Sequence, residues 1–257
     1  MIDFQQRIDL GKESSLLVWY PKIKDLPIPQ VKTVIVNTGH KILSEWIRKD
    51  KPMSQSMWDK LESGMNKIGK FPVFMRTDQA SIKHDWKNTC FVENKDKMKH
   101  NLSMLVEGHE MQNMAGELSY DAVVFREFLD LESSFTTDYY SDFPVNKEVR
   151  CFIRDGELVS MHNYWFEDAV EKGHPHDVKW RDKLKKLNKI SDTDNVDIVK
   201  QLEKISPNFK NYWSVDFAKG KNGKWYCIDM ARGEVSYHPE NILWKGKNYI
   251  VPIKGDF

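Results

Sequence analysis

The sequence predicts an α+β fold, and three observations point to it. Apolar residues recur at helical spacing in Gln55–Lys67 and Lys95–Gly116. Val31–Asn37, Pro72–Asp78 and Tyr120–Leu129 are short apolar runs of strand length. Pro144–Trp165 and Asn211–Met230 each read as a hairpin, because each contains a two-residue turn signal, Asp155-Gly156 or Asn222-Gly223. Helices mixed with hairpins argue against an all-parallel sheet.

The elements follow in order. Val31–Asn37 (VKTVIVN) is rich in β-branched residues. In Gln55–Lys67, Met57, Trp58, Leu61 and Met65 fall on one helical face. Pro72 opens the next strand, where a missing N–H matters least. The polar SIKHDWKN stretch reads as a loop. In Lys95–Gly116 the spacing of Met98, Leu102, Leu105 and Val106 predicts a helix. Val178–Leu187 and Val196–Ile205 are expected helices between the hairpins. Glu167–Asp177 is polar and turn-rich, an expected flexible connection.

Composition bounds the function classes. The chain has 257 residues with nine Trp, nine Tyr and thirteen Phe, enough large apolar surface for a core. Basic residues number 39 and acidic ones 38, so no whole-molecule basic field exists and any polyanion site is local. Cys90, Cys151 and Cys227 are far apart with no CxxC spacing, and read as reduced core thiols of a cytoplasmic protein. No apolar run reaches the ~18 residues of a membrane span, and MIDFQQRIDLGKES lacks the apolar core of a secretory signal.

The hairpins place charges. With Asp155-Gly156 as the loop, Phe152 opposes Val159, Arg150 opposes Met161 and Glu148 opposes Asn163. Glu148, Arg150 and Phe152 then share a mixed face, and Val149, Cys151 and Ile153 an apolar one. That mixed face is either a pocket wall or an exposed surface with a cross-strand ion pair. With Asn222-Gly223 as the loop, Ala218 opposes Cys227 and Asp216 opposes Asp229. Two carboxylates directly opposite repel and need a reason. The alternatives are a hard divalent cation such as Mg²⁺, a shared proton, or an Arg or Lys from elsewhere. A register slip is the remaining one, since Lys219-Gly220-Lys221 can lengthen the loop.

In order, PVFMRTDQASIKHDW, VVFREFLD, EVRCFIRDGEL and SVDFAKGKNGKWYCIDMARG resemble the motifs of the ATP-grasp superfamily. Within it they are most similar to the branch that includes the eukaryotic cell-division-cycle assembly factor acting on translation initiation factor two. The resemblance covers about residues 72–232 and is carried best by EVRCFIRDG. It implies two α+β subdomains, residues 1–120 and 121–257, enclosing a nucleotide cleft. It implies Arg76 and a loop cation, Lys83 with Lys87 as runner-up, on the phosphates. Backbone groups of Glu127, Phe128 and Leu129 would meet the adenine, and Asp130 or Glu132 the ribose. Arg150, beside Glu148, would contact phosphate. Asp216 and Asp229 would hold Mg²⁺. Ala231 stands where the family usually has Asn, which favours one metal ion over two. Arg232 would hold a phosphate or an acidic substrate.

The implied activity is an ADP-forming, ATP-dependent ligation that activates a carboxylate as an acyl phosphate. The rivals are an ATP-dependent assembly factor with a protein partner, and a phosphotransferase. Other signals are weaker. His174-Pro175-His176 has no further ligand nearby and reads as a solvated loop. The basic run Lys179–Lys189 reads as a solvated face, so nucleic acid is not the favoured partner. No P-loop string occurs.

Overall fold

A computed structural model of the chain describes residues 3–112, 119–137 and 142–238, with the backbone of 242–244 and 247–249. In chain order the elements are α1 (Phe4–Glu13), α2 (Leu16–Ile23), β1 (Thr33–Asn37), α3 (His40–Arg48), α4 (Gln55–Asn66), β2 (Val73–Thr77), β3 (Phe91–Val92), α5 (Met98–Gln112) and β4 (Ala122–Glu127). They continue with β5 (Ser133–Thr137), β6 (Phe143–Asn146), β7 (Glu148–Arg154), β8 (Glu157–Asn163), α6 (Glu167–Lys172), α7 (Trp180–Leu187), α8 (Asp192–Ile205), β9 (Tyr212–Lys219) and β10 (Trp225–Arg232). Two short strands, β11 (Ile242–Trp244) and β12 (Lys247–Tyr249), pair with each other. This is the expected α+β mixture. The part of the expected Lys95–Gly116 helix beyond residue 112 lies outside the described residues.

The chain forms two compact units that interleave in sequence. The smaller holds Val31–Leu129 and Asp138–Phe143; the larger holds Met1–Gln30, Asp130–Thr137 and Pro144–Phe257. The first thirty residues therefore group with the C-terminal unit, whereas the sequence alone suggests one boundary near residue 120.

In the smaller unit an antiparallel sheet runs β1-β4-β2-β3. Period-two alternation sends Val73 and Met75 to one face with Val123 and Phe125. There they bury against Met57, Leu61 and Met65 of α4 and Leu102, Leu105 and Val106 of α5. These are the helical stripes read from the sequence. A Cβ on Gly64 would stand 2.3 Å from Val36 Cγ2, so glycine lets α4 approach β1.

In the larger unit the sheet order is β10-β9-β7-β8, again antiparallel. Its apolar face carries Val149, Cys151 and Ile153 with Val215 and Phe217, all essentially without solvent contact. Helix α8 is pinned beside it through Asp194. That carboxylate completes a capping box with Ser191. It also accepts from Lys219 Nζ at 2.7 Å and Trp225 Nε1 at 2.9 Å.

Three expectations need correction. Glu167–Asp177 is not simply a flexible connection, since α6 occupies its first half and buries Val170. In the first hairpin, Asp155 and Gly156 do form the turn, at φ 48° and 90°. A bulge at Val159 then shifts the ladder, so Phe152 pairs with Ser160 and Arg150 with His162, instead of Val159 and Met161. Val149 takes Asn163, the partner expected for Glu148. In the second hairpin the loop is one residue longer than expected. Gly220 N donates to Lys224 O, Gly223 takes φ 81°, and Ala218 pairs with Tyr226 instead of Cys227.

Candidate functional site

The larger unit's sheet has a polar face set by strand alternation. Glu148, Arg150 and Phe152 of β7 share it with Ser214, Asp216 and Ala218 of the adjacent β9. The second hairpin adds Asp229. The longer loop displaces the register by one, and a bulge at Ile228 displaces it back, so Asp229 does pair with Asp216. The expected opposition is present, reached through two compensating irregularities.

Asp216 is on the central strand of this pairing, with Arg150 on one side and Asp229 on the other. Arg150 Nε donates to Asp216 Oδ1 and Nη2 to Oδ2, each at 2.8 Å. The side chains are 15% and 8% exposed, so this is a buried bidentate pair and not a surface one. An arginine from another strand, one of the cations weighed for the aspartate pair, thus stands beside Asp216. Burial pulls the guanidinium's pKa down, but the charge and hydrogen bonds of Asp216 outweigh it and the net shift is upward. The guanidinium lies over the Tyr164 ring at 4.9 Å, and Nη1 donates to Tyr237 O at 3.3 Å. Asp229 Oδ1 accepts from the amide of Met230 at 3.1 Å. Glu148 is buried, and its Oε1 accepts from Asn146 Nδ2 at 3.3 Å.

His162, opposite Arg150, escaped the sequence reading. Its Nδ1 donates to Asn163 O at 2.7 Å. Nε2 is buried without a hydrogen-bond partner. Burial drops its pKa to about 4; the Asn163 hydrogen bond opposes this, and Arg150 and His238 add to it. The imidazole is therefore neutral near pH 7. The segment after β10 crosses this face: Ser236 Oγ is 2.7 Å from Ser214 Oγ, and His238 Nε2 is 3.1 Å from Ser160 Oγ.

Arg232 lies on the opposite face and is held by protein. Its Nη1 meets Glu13, Nη2 donates to Glu234 Oε1 at 2.8 Å, and Nε to Tyr212 O at 3.1 Å. Its amide donates to Ser14 Oγ at 2.9 Å, so Arg232 ties α1 to β10. Its guanidinium is thus engaged by two carboxylates and a carbonyl. Asp130 is exposed and paired with Lys221 at 2.7 Å. Glu132 is 3.9 Å from Lys147 Nζ.

In the smaller unit, Arg76 projects from β2 away from the helices. It is buried, and its Nε donates to Thr77 O at 3.0 Å. Arg126 of β4 shares that face, diagonal to Arg76 across the ladder, and is equally buried. The alternation in VVFREF was the signal for it. Lys83 opens a short 3₁₀ turn, its Nζ 5.5 Å from the Phe143 ring centroid. Lys87, the runner-up, pairs with Asp142 at 3.0 Å. Glu127 ends β4, donates its amide to Lys32 O at 2.8 Å and pairs with Lys70 at 2.6 Å. Phe128 stacks on Trp86 at 6.3 Å, and Leu129 beside it is half-buried.

Comparison with known proteins names the arrangement. A profile of the ATP-grasp domain, R-2-K clade family 3, matches residues 62–247. The chain belongs to this ATP-grasp family. Its fold is similar to the structure of Cdc123 from Schizosaccharomyces pombe, with a TM-score of 0.55 and 12% identity over 87% of this chain and 85% of that one. A C-terminally truncated form of the same yeast protein gives 0.54 and 13% identity, over 90% and 87%. No curated protein sequence gives a match.

The donor set of this ATP-grasp domain defines what metal it suits. Among the described residues, no three His, Cys, Asp or Glu side chains converge to cage an ion. Two opposed carboxylates fit a Mg²⁺ that takes its remaining ligands from phosphate and water. Ala231, opposite Ser214, adds no side-chain oxygen. No described helix is long and apolar enough to cross a membrane.

Proposed function

We propose that this ATP-grasp domain binds Mg-ATP and activates a carboxylate as an acyl phosphate with release of ADP. The observation that carries the reading is the polar sheet face, where Glu148, Arg150, Asp216 and Asp229 lie together within the stretch matched to the family. Asp229, with Asp216, would hold Mg²⁺, which supplies positive charge against the phosphates. Arg150 presents a planar fork to phosphate oxygens, and Arg76 and Lys83 are the phosphate cations proposed in the smaller unit. Backbone groups of Phe128 and Leu129 are the proposed adenine contacts; the Glu127 amide is already given to Lys32 O. Asp130 or Glu132 is proposed for the ribose. Such chemistry is alignment and charge neutralisation: a carboxylate oxygen attacks the γ-phosphorus, and the β–γ bridging oxygen leaves with ADP.

The experiment is a thermal melt with ATP plus Mg²⁺ against Mg²⁺ alone, followed by analysis of the nucleotide product. At a hundred times its dissociation constant, ATP should add about 2.7 kcal/mol. No shift at millimolar ATP refutes the nucleotide reading. A shift with no ADP formed, with or without added carboxylates, replaces the ligase with an ATP-dependent assembly protein.

A further inference from the structure

We propose that Arg150 bars a divalent cation from the Asp216–Asp229 pair until nucleotide phosphate is present, so that metal enters with nucleotide and not ahead of it. The inference rests on the Mg-ATP reading above.

Three observations carry it. Both Asp216 oxygens accept from Arg150 at 2.8 Å, and the guanidinium fork covers the carboxylate edge a cation would approach. The fork is also held in place, by the Tyr164 ring at 4.9 Å and by the Tyr237 carbonyl at 3.3 Å. Asp229 pairs directly with Asp216, so the two carboxylates without Arg150 carry a double negative charge, and with it a single one.

A metal ion arriving alone therefore meets a fixed positive charge and a capped ligand. Phosphate changes both conditions. Its oxygens match the guanidinium fork as well as a carboxylate does. Its negative charge also offsets the guanidinium's own, so the field at the aspartates favours a cation again. Metal and phosphate affinities are then linked, each raising the other by the same factor.

The test uses the full chain and Mn²⁺ in place of Mg²⁺, with free ion read by electron paramagnetic resonance. Titrations run without nucleotide and with a non-hydrolysable ATP analogue. Wild type should bind Mn²⁺ weakly alone and more tightly with the analogue. Arg150→Gln should bind Mn²⁺ alone at least about tenfold more tightly than wild type, since one charge leaves the side of a divalent ion even under near-aqueous screening. Adding Asp229→Asn should abolish that gain. Unchanged or weaker Mn²⁺ binding by Arg150→Gln overturns the proposal. If that variant does not fold, Arg150→Met, neutral and of similar length, takes its place, and a gain supports the proposal while none overturns it. Failure of wild type to bind the analogue at all sinks the Mg-ATP reading and the ordering with it. Analogue binding with unchanged metal affinity in the variant overturns the ordering alone.

Discussion

Arg150→Ala is the perturbation whose cost separates a buried pair from a surface one. The carboxylate left behind, Asp216, is 8% exposed on its side chain, and the guanidinium removed is 15% exposed. Asp229 opposite now repels the survivor. Removing one partner of such a pair costs about 3–5 kcal/mol, whereas an exposed pair is worth about 0–1 kcal/mol. For a chain of this size each kcal/mol moves the melting temperature by roughly 2–4 °C. The expected drop is then about 6–20 °C at pH 7. The double variant Arg150→Ala, Asp216→Ala should recover most of the loss, because neither charge is left alone. Urea denaturation of the four proteins closes the cycle. A cost under about 1 kcal/mol for Arg150→Ala, with no recovery in the double variant, would refute the buried-pair reasoning.

Two other outcomes are expected. His162 titrates at about 4 in the folded chain, lowered chiefly by burial, against about 6.5 unfolded. The unfolded chain takes up the proton first, so stability is intact at pH 7 and falls as pH drops from about 6.5 to 4, by roughly 3 kcal/mol at most. Replacing His162 by Gln should flatten that limb, and an imidazole titration by NMR that gives a value near 6.5 refutes the assignment. Asp194 behaves oppositely: burial raises its pKa, but hydrogen bonds from Lys219, Trp225 and Ser191 outweigh this and hold it far below the usual carboxylate range. Its contribution is complete above an ordinary carboxylate pKa of about 3.9 and is lost as pH falls below it. Asp194→Asn should therefore lower neutral-pH stability and weaken the acid dependence, read by urea midpoints from pH 2 to 7.

What the sequence disclosed was mostly local. The stripes of α4 and α5 and the Asp155-Gly156 turn depend on residues within a few positions of each other, and each is where it was expected. Bulges are a different matter. Val159 and Ile228 are apolar strand residues with no sequence mark, and each is left unpaired by a register shift between neighbouring strands. The role of Arg232 was illegible for a plainer reason. Its partners Glu13 and Ser14 lie more than two hundred residues away, at the end of a helix the sequence reading passed over. That helix was signalled, since Asp3 and Gln6 form a capping box at its start. Arg126 was missed although the period of β4 puts it on the face of Arg76.

The partner of Arg150 could not be read from either hairpin alone, because it depends on which hairpin strands become neighbours. In the order β10-β9-β7-β8, β9 is flanked by β7 and β10, and register then sets Asp216 between Arg150 and Asp229. Had β8 taken the place of β7, the residue beside Asp216 would come from a strand without an Arg or Lys. The carboxylates would then face each other without the Arg150 fork, and a metal, a proton or a cation from another element would have to relieve the repulsion. Strand order, not composition, makes the aspartate pair tolerable without a metal. The same order places the charge that a metal must displace or share at the atoms it would bind.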